Sequence, residues 1–235
     1  MFSKKIKLTA YTPDKNIYDF IKPVYKSKER PSWLASLKSA ITSWDHNIQM
    51  PIKAGTAVTC PGIRDFLSTP IQINMWGDID IVINPDRTWR HNAKPEWGFT
   101  ISEHPEDQWK GAYNNRIALK LGSPWVFECN QEVKFLMMES HYSTNVFRDL
   151  GVVFPPGITN YKLQHSTNVH LNCPIKSEPY MISLKHGMPL ISIFPLTEKE
   201  IDFSVELSTV DKYNTLSGNF PYTFVGRYYK KGQYE

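Results

Sequence analysis

Cysteine, glycine and long apolar runs are all scarce in this sequence, and each shortage excludes something. Cys60, Cys129 and Cys173 are the only three cysteines in 235 residues, odd in number and far apart. With no CxxC or CxxH spacing, neither a disulfide framework nor a structural zinc site is expected. The chain has 12 glycines against 17 prolines, and nowhere a glycine-rich phosphate loop. No GxSxG elbow, no HxE…PCxxC deaminase signature and no HxH or Hx(D/E)…H iron pattern occurs. No window approaches the ~18 apolar residues of a membrane span. The opening MFSKKIKLTAY carries lysines but no apolar signal core. These absences point to a reducing setting, a cytoplasm or a particle assembled in one, with no membrane partner. Net charge is +4 and the basic residues are dispersed, not striped with aromatics, so nucleic acid is not an expected partner.

What is present favours β-structure. Aromatics make up 13% of the chain, and proline outnumbers glycine, a composition of sheets with long connections. Strands are expected at 4–11, 52–60, 70–83, 116–129, 133–140 and 161–175, with shorter ones between, about ten in all. In PIQINMWGDIDIVI, Ile71, Ile73, Met75, Ile79, Ile81 and Ile83 are all odd-numbered and share one side of a sheet, with Gly77 marking a bulge. One good helix is expected over 31–45, PSWLASLKSAITSWD. Pro31 suits its first turn, and Trp33, Leu34, Leu37, Ile41 and Trp44 form one face to pack on a sheet. The aromatic tail NFPYTFVGRYYKKGQYE has no helical period and reads as an extended arm. The expectation is a mainly β domain spanning residues 1–235: an antiparallel β-sandwich, jelly-roll or β-clip with one N-terminal helix and a C-terminal arm.

MISLKHGMPLISIFPL (181–196) sets a glycine between two apolar runs. His186-Gly187 supplies a residue tolerant of positive φ where the chain turns sharply, and Pro195 ends the second strand. The runs are either facing strands or one strongly bent strand. LKHGMPLISIFPL resembles the final sheet segment of trimeric dUTPases and dCTP deaminases over roughly 35 residues, which implies a β-clip or jelly-roll-like fold. A longer series, PSWLASL, VTCPGIRDFL, IQINMWGDIDIVI, ISEHPEDQW, LGSPWVFEC, LGVV and LKHGMPLISIFPL, resembles an uncharacterised family of tailed phages, notably those of marine bacteria. The order holds over about residues 31–200, with 201–235 as a C-terminal extension. Met188 replaces the usual Thr, and Phe154-Pro155-Pro156 stands where aspartates are usual. The resemblance implies a phage source and no activity.

Three groups of residues are suited to chemistry or binding. Asp78 and Asp80, two apart beside Trp76, present both carboxylates on one side of a strand, which suits a cation or a positioned water. It suits the polar face of a half-exposed strand equally well. ISEHPEDQW gathers Glu103, His104, Glu106, Asp107 and Gln108 before Trp109, either an acid–base or binding cluster or an ordinary polar turn around Pro105. His165 and His170, five apart, face opposite ways on a strand and do not share a metal, while His141, His165 and His186 read as structural. Trp76, Trp89, Trp97, Trp109 and Trp125 either fill a small β core or form a contact surface.

No catalytic residue is assigned and no cofactor is expected; the binding candidates are Trp76, Asp78, Asp80, His104, Gln108 and Trp109. The sequence weighs toward a phage protein that acts by contact, as a virion structural or accessory component, partnered by other phage subunits or its own copies, in the virion or the host cytoplasm. The alternatives are a nucleotide-handling enzyme of dUTPase-like fold with Asp78 or Asp80 as base, and a phage factor that binds a host protein.

Overall fold

Period-two burial is the rule that assembles this chain. Ile71 and Ile73, and further on Ile79, Ile81 and Ile83, are fully buried while Gln72, Asp80 and Val82 between them are only partly so, as strands with one face on a core require. The computed structural model describes residues 5–27, 30–93, 100–105, 109, 111–143 and 146–218. In chain order its strands are β1 (Ile6–Thr12), β2 (Val24–Tyr25), β3 (Ala40–Asp45), β4 (Met50–Gly55), β5 (Ile71–Asn74), β6 (Ile79–Ile83), β7 (Trp89–His91) and β8 (Thr100–Glu103). Then come β9 (Arg116–Cys129), β10 (Lys134–Glu139), β11 (Gly157–Asn160), β12 (Ser166–Pro174), β13 (Tyr180–Leu184), β14 (Pro189–Pro195) and β15 (Ile201–Leu207). The helices are short: α1 (Lys15–Phe20), α2 (Ser32–Ala35), α3 (Pro61–Ser68), α4 (Val146–Leu150) and α5 (Val210–Gly218). The protein is mainly β, as its composition leads one to expect. No helix among the described residues is long and apolar enough to cross a membrane.

Three sheets share one hydrophobic core. The first runs β12-β9-β1-β15 and is organised by the long β9, whose one edge takes β12 while the other is divided between β8 and β1. β15 lies parallel to β1, so residues 201–207 complete this sheet. The second runs β11-β10-β14-β5-β2, and the third β13-β6-β7. The last two are linked by a double corner. β5 continues into β6 and β13 into β14, and both chains change sheet side by side.

Gly187, at φ 79°, is the hinge of that corner. Its N–H donates to the carbonyl of Met75 at 2.8 Å, and Met75 N–H donates to the carbonyl of Met188 at 2.7 Å. The positive-φ turn is where the sequence puts it, and of the two readings the bent strand is the one observed: β13 and β14 pair with different partners.

The helix expected over 31–45 does not form. Only Ser32–Ala35 is helical, and the segment then becomes β3, paired in register with β4 from Ala40↔Gly55 to Asp45↔Met50. The physical reason is local. Ser36 Oγ donates to the carbonyl of Trp33 at 2.8 Å and closes the first turn, and β-branched Ile41 and Thr42 favour a strand. Asp45 then accepts from the N–H groups of Asn47 and Ile48, an Asx turn that reverses the chain. The stripe expected to pack on a sheet is exposed at Trp33, Leu37, Ile41 and Trp44; Leu34 alone is buried. The expected C-terminal arm, residues 219–235, lies outside the described residues.

Candidate functional site

The β3–β4 ribbon is paired to itself, and every residue from 41 to 53 is exposed or only partly covered. Half of the large apolar side chains exposed among the described residues fall between 33 and 52. The pairing register sorts them by face. Ile41, Ile52 and Met50 share one side with Ser43 and Asp45, while Trp44 and Pro51 sit opposite each other on the other side. Pro51 lacks an N–H donor, which is tolerated because this strand is an edge. At the base, Trp33 Nε1 donates to the carbonyl of Tyr142 at 2.7 Å and ties the segment to the body.

Asp78 and Asp80 are brought together as their spacing suggested, but each carboxylate is engaged by the fold. Asp80 accepts from Ser183 Oγ at 2.6 Å and from Asn92 Nδ2 at 2.9 Å, knitting β6 to β13 and to the residue after β7. Asp78 accepts from the backbone N–H of His186 at 2.8 Å, fixing the corner beside Gly187. Lys185 Nζ lies 3.6 Å from Asp78 and 3.8 Å from Asp80. The His186 N–H holds the Asp78 carboxyl below its ordinary range, and the Ser183 hydroxyl does the same for Asp80. Trp76 is fully buried in the core.

His104 reaches a partner that its own segment does not reveal. Its Nε2 lies 2.9 Å from Nδ1 of His170, on the outward side of β12. Trp109 stands against both rings, with centroids 6.2 Å from His104 and 6.1 Å from His170. Burial, then the charge of His104, then Lys120 push the His170 imidazole down to about 4, so it is neutral at neutral pH. Gln108 lies outside the described residues, as do Glu106 and Asp107.

These rings form one wall of a cleft of about 750 Å³, where the edge strand β12 of the first sheet meets the edge strand β11 of the second. Met137, Met138, Phe154, Pro155, Ile158 and Ile191 supply its apolar lining, and Gln164, Ser166 and Asn168 its polar rim. The cleft follows from Pro155-Pro156. Val153 exchanges backbone hydrogen bonds with Asn172 of β12, but the two prolines have no donor to continue that pairing, and the chain diverges from β12. A smaller cleft of about 370 Å³ lies on the other side of His104 and Trp109, with Arg87, Arg116 and Glu103 in its lining.

Of the residues singled out in the sequence, His104 and Trp109 therefore meet in one place, and Asp78 and Asp80 in another, at the corner beside Gly187. His170 was missed as a site residue. The sequence signal for it was its phase, outward with Ser166 and Asn168 on an alternating strand. No protein-family model matches the chain, and no curated protein matches it.

Proposed function

We propose that this protein works by contact, as an assembly subunit whose β3–β4 ribbon docks on a second copy of the chain. The observation that carries this reading is the ribbon itself. Two strands standing alone are marginal in water, and this pair exposes Ile41, Trp44, Ile48, Met50 and Ile52 together. Apolar side chains concentrated in that way mark a surface covered in use. The face bearing Ile41, Met50 and Ile52 has one charged member, Asp45, whose carboxylate is occupied by its own turn. Apart from that one carboxylate the face is apolar or small, which suits an isologous contact. The resemblance of residues 31–200 to the tailed-phage family supports a phage particle or an infected cytoplasm as the setting, and makes other particle subunits the next class of partner.

The test is the oligomeric state by analytical ultracentrifugation between micromolar and submicromolar concentration. The expected result is a concentration-dependent oligomer that becomes monomeric in I41S/I52S with an unchanged far-ultraviolet spectrum. A wild-type chain that is monomeric throughout, or an oligomer that the double substitution leaves intact, overturns the reading.

A further inference from the structure

The cleft beside His170 is independent of the ribbon and points to a second property. Among its described lining residues there is no Asp, Glu, Lys or Arg. The two imidazoles in its wall share one hydrogen bond, which needs one proton and no net charge. A charged group entering such a lining would leave water without a counter-charge, which is strongly unfavourable. Met137, Met138, Phe154, Pro155 and Pro156 make much of the apolar lining, and polarisable sulfur and flat apolar rings favour a flat, polarisable guest. Its volume lies in the range that small-molecule sites occupy.

Most of the hydrogen-bonding capacity lies along β12, at Ser166, Asn168 and His170. His170 spends Nδ1 on His104, which leaves Nε2 to act as donor or acceptor according to the tautomer. Asn168, two residues away on the same side of β12, adds an amide. Thr159 Oγ1, in the opposite wall, is buried without a protein partner. The charged groups, Arg87, Arg116 and Glu103, are in the smaller cleft beyond His104 and Trp109.

We propose that this cleft binds an uncharged aromatic small molecule, its ring against Met137, Met138, Phe154 and Pro155 and its single polar group at His170 and Asn168. The charge of the guest is the point on which the proposal stands, so two probes with one skeleton test it. N-phenyl-1-naphthylamine is neutral; 8-anilino-1-naphthalenesulfonate carries the same rings and a sulfonate. Fluorescence titration of the full-length protein is expected to give saturable one-to-one binding of the neutral probe, with the sulfonate at least about tenfold weaker. Asn168→Trp and Met138→Trp, each filling the cleft from a different wall, are expected to weaken the neutral probe at least about tenfold while thermal unfolding stays cooperative. Trp44→Ser on the ribbon is expected to leave the titration unchanged. Equal or tighter binding of the sulfonate overturns the proposal, as does binding that survives both filling variants. Loss of binding on Trp44→Ser also overturns it, because it would place the probe on the ribbon.

Discussion

Trp125 and Trp44 are the same side chain in two regions that obey opposite rules. Trp125, on β9, is fully buried in the core shared by three sheets, whereas Trp44 is 52% exposed on a ribbon paired only to itself. In the first region β5, β6, β12 and most of β9 alternate, and their inward positions pack into one shared core. In the second, apolar residues occupy both faces and neither face is covered. The body is thus stabilised by its own burial, while the ribbon leaves its apolar surface uncovered. This contrast yields experiments in which one substitution has different consequences by location.

The largest difference is expected from the tryptophans themselves. Trp125→Ala removes a fully buried side chain and is expected to lower stability by about 3–5 kcal/mol. Trp125→Phe keeps most of the volume and removes an indole N–H that is buried without a partner, so it is expected to lose less than about 1.5 kcal/mol. Trp44→Ala, measured where the chain is monomeric, is expected to change stability by at most about 0.5 kcal/mol. Urea denaturation distinguishes these outcomes. A Trp44→Ala loss as large as that of Trp125→Ala would show that the ribbon is packed on the body after all.

The second effect belongs to the wall of the cleft. An unfolded histidine takes up its proton near 6.5, whereas folded His170 resists protonation down to about 4. Between those values the unfolded state binds more protons than the folded one, so stability falls as pH falls. The contribution is fully present above pH 6.5 and lost by about pH 4, about 3 kcal/mol over the window. His170→Gln is expected to flatten this part of the stability–pH curve. An unchanged slope in the variant would mean that His170 is not the buried neutral group described.

Smaller again is the corner. A Cβ at Gly187 meets no atom within 4 Å, so substitution there is opposed only by its φ of 79°. Gly187→Val is expected to lower stability by about 1–2 kcal/mol, and Gly187→Asn by less, because asparagine tolerates the left-handed region. Thermal unfolding of the pair measures the difference; an equal loss for both would indicate a packing clash instead of backbone strain.

Much of the body was legible because its signals are local. The alternation of Ile71 to Ile83 declares buried positions, although the one strand expected over 70–83 is two, β5 and β6, in different sheets; Gly187 declares its turn, and the run from Arg116 to Cys129 a long strand. α1 was not expected, although Asp14 caps it by accepting from the N–H groups of Asn16 and Ile17. The ribbon was misread because Trp33, Leu37, Ile41 and Trp44 fit a helical stripe as well as an exposed strand. Periodicity states which residues are apolar together; it does not state that anything covers them. The corner and the cleft depend on contacts between distant residues. Met75 meets Gly187 and His104 meets His170, and no window of sequence contains either pair.

The smallest effect tests whether Asp80 is structural. Its carboxylate accepts from Ser183 and Asn92, so Asp80→Asn keeps a similar shape but makes one of the two oxygens a donor. Facing the Asn92 amide, that new donor finds another donor, and either the side chain rotates or one contact is given up. At a partly exposed site, water replaces most of what is lost, so the expected change is within about 1 kcal/mol. Lys185, exposed beside both aspartates, adds little by its charge. A double-mutant cycle of Asp80→Asn with Ser183→Ala is expected to show a coupling of about 0.5–1 kcal/mol that persists in high salt, as a hydrogen bond does and a screened ion pair does not. If the coupling vanishes while Asp80→Asn instead abolishes a metal-dependent activity on deoxynucleoside triphosphates, the aspartates are a reaction centre, and the corner they fasten is its scaffold.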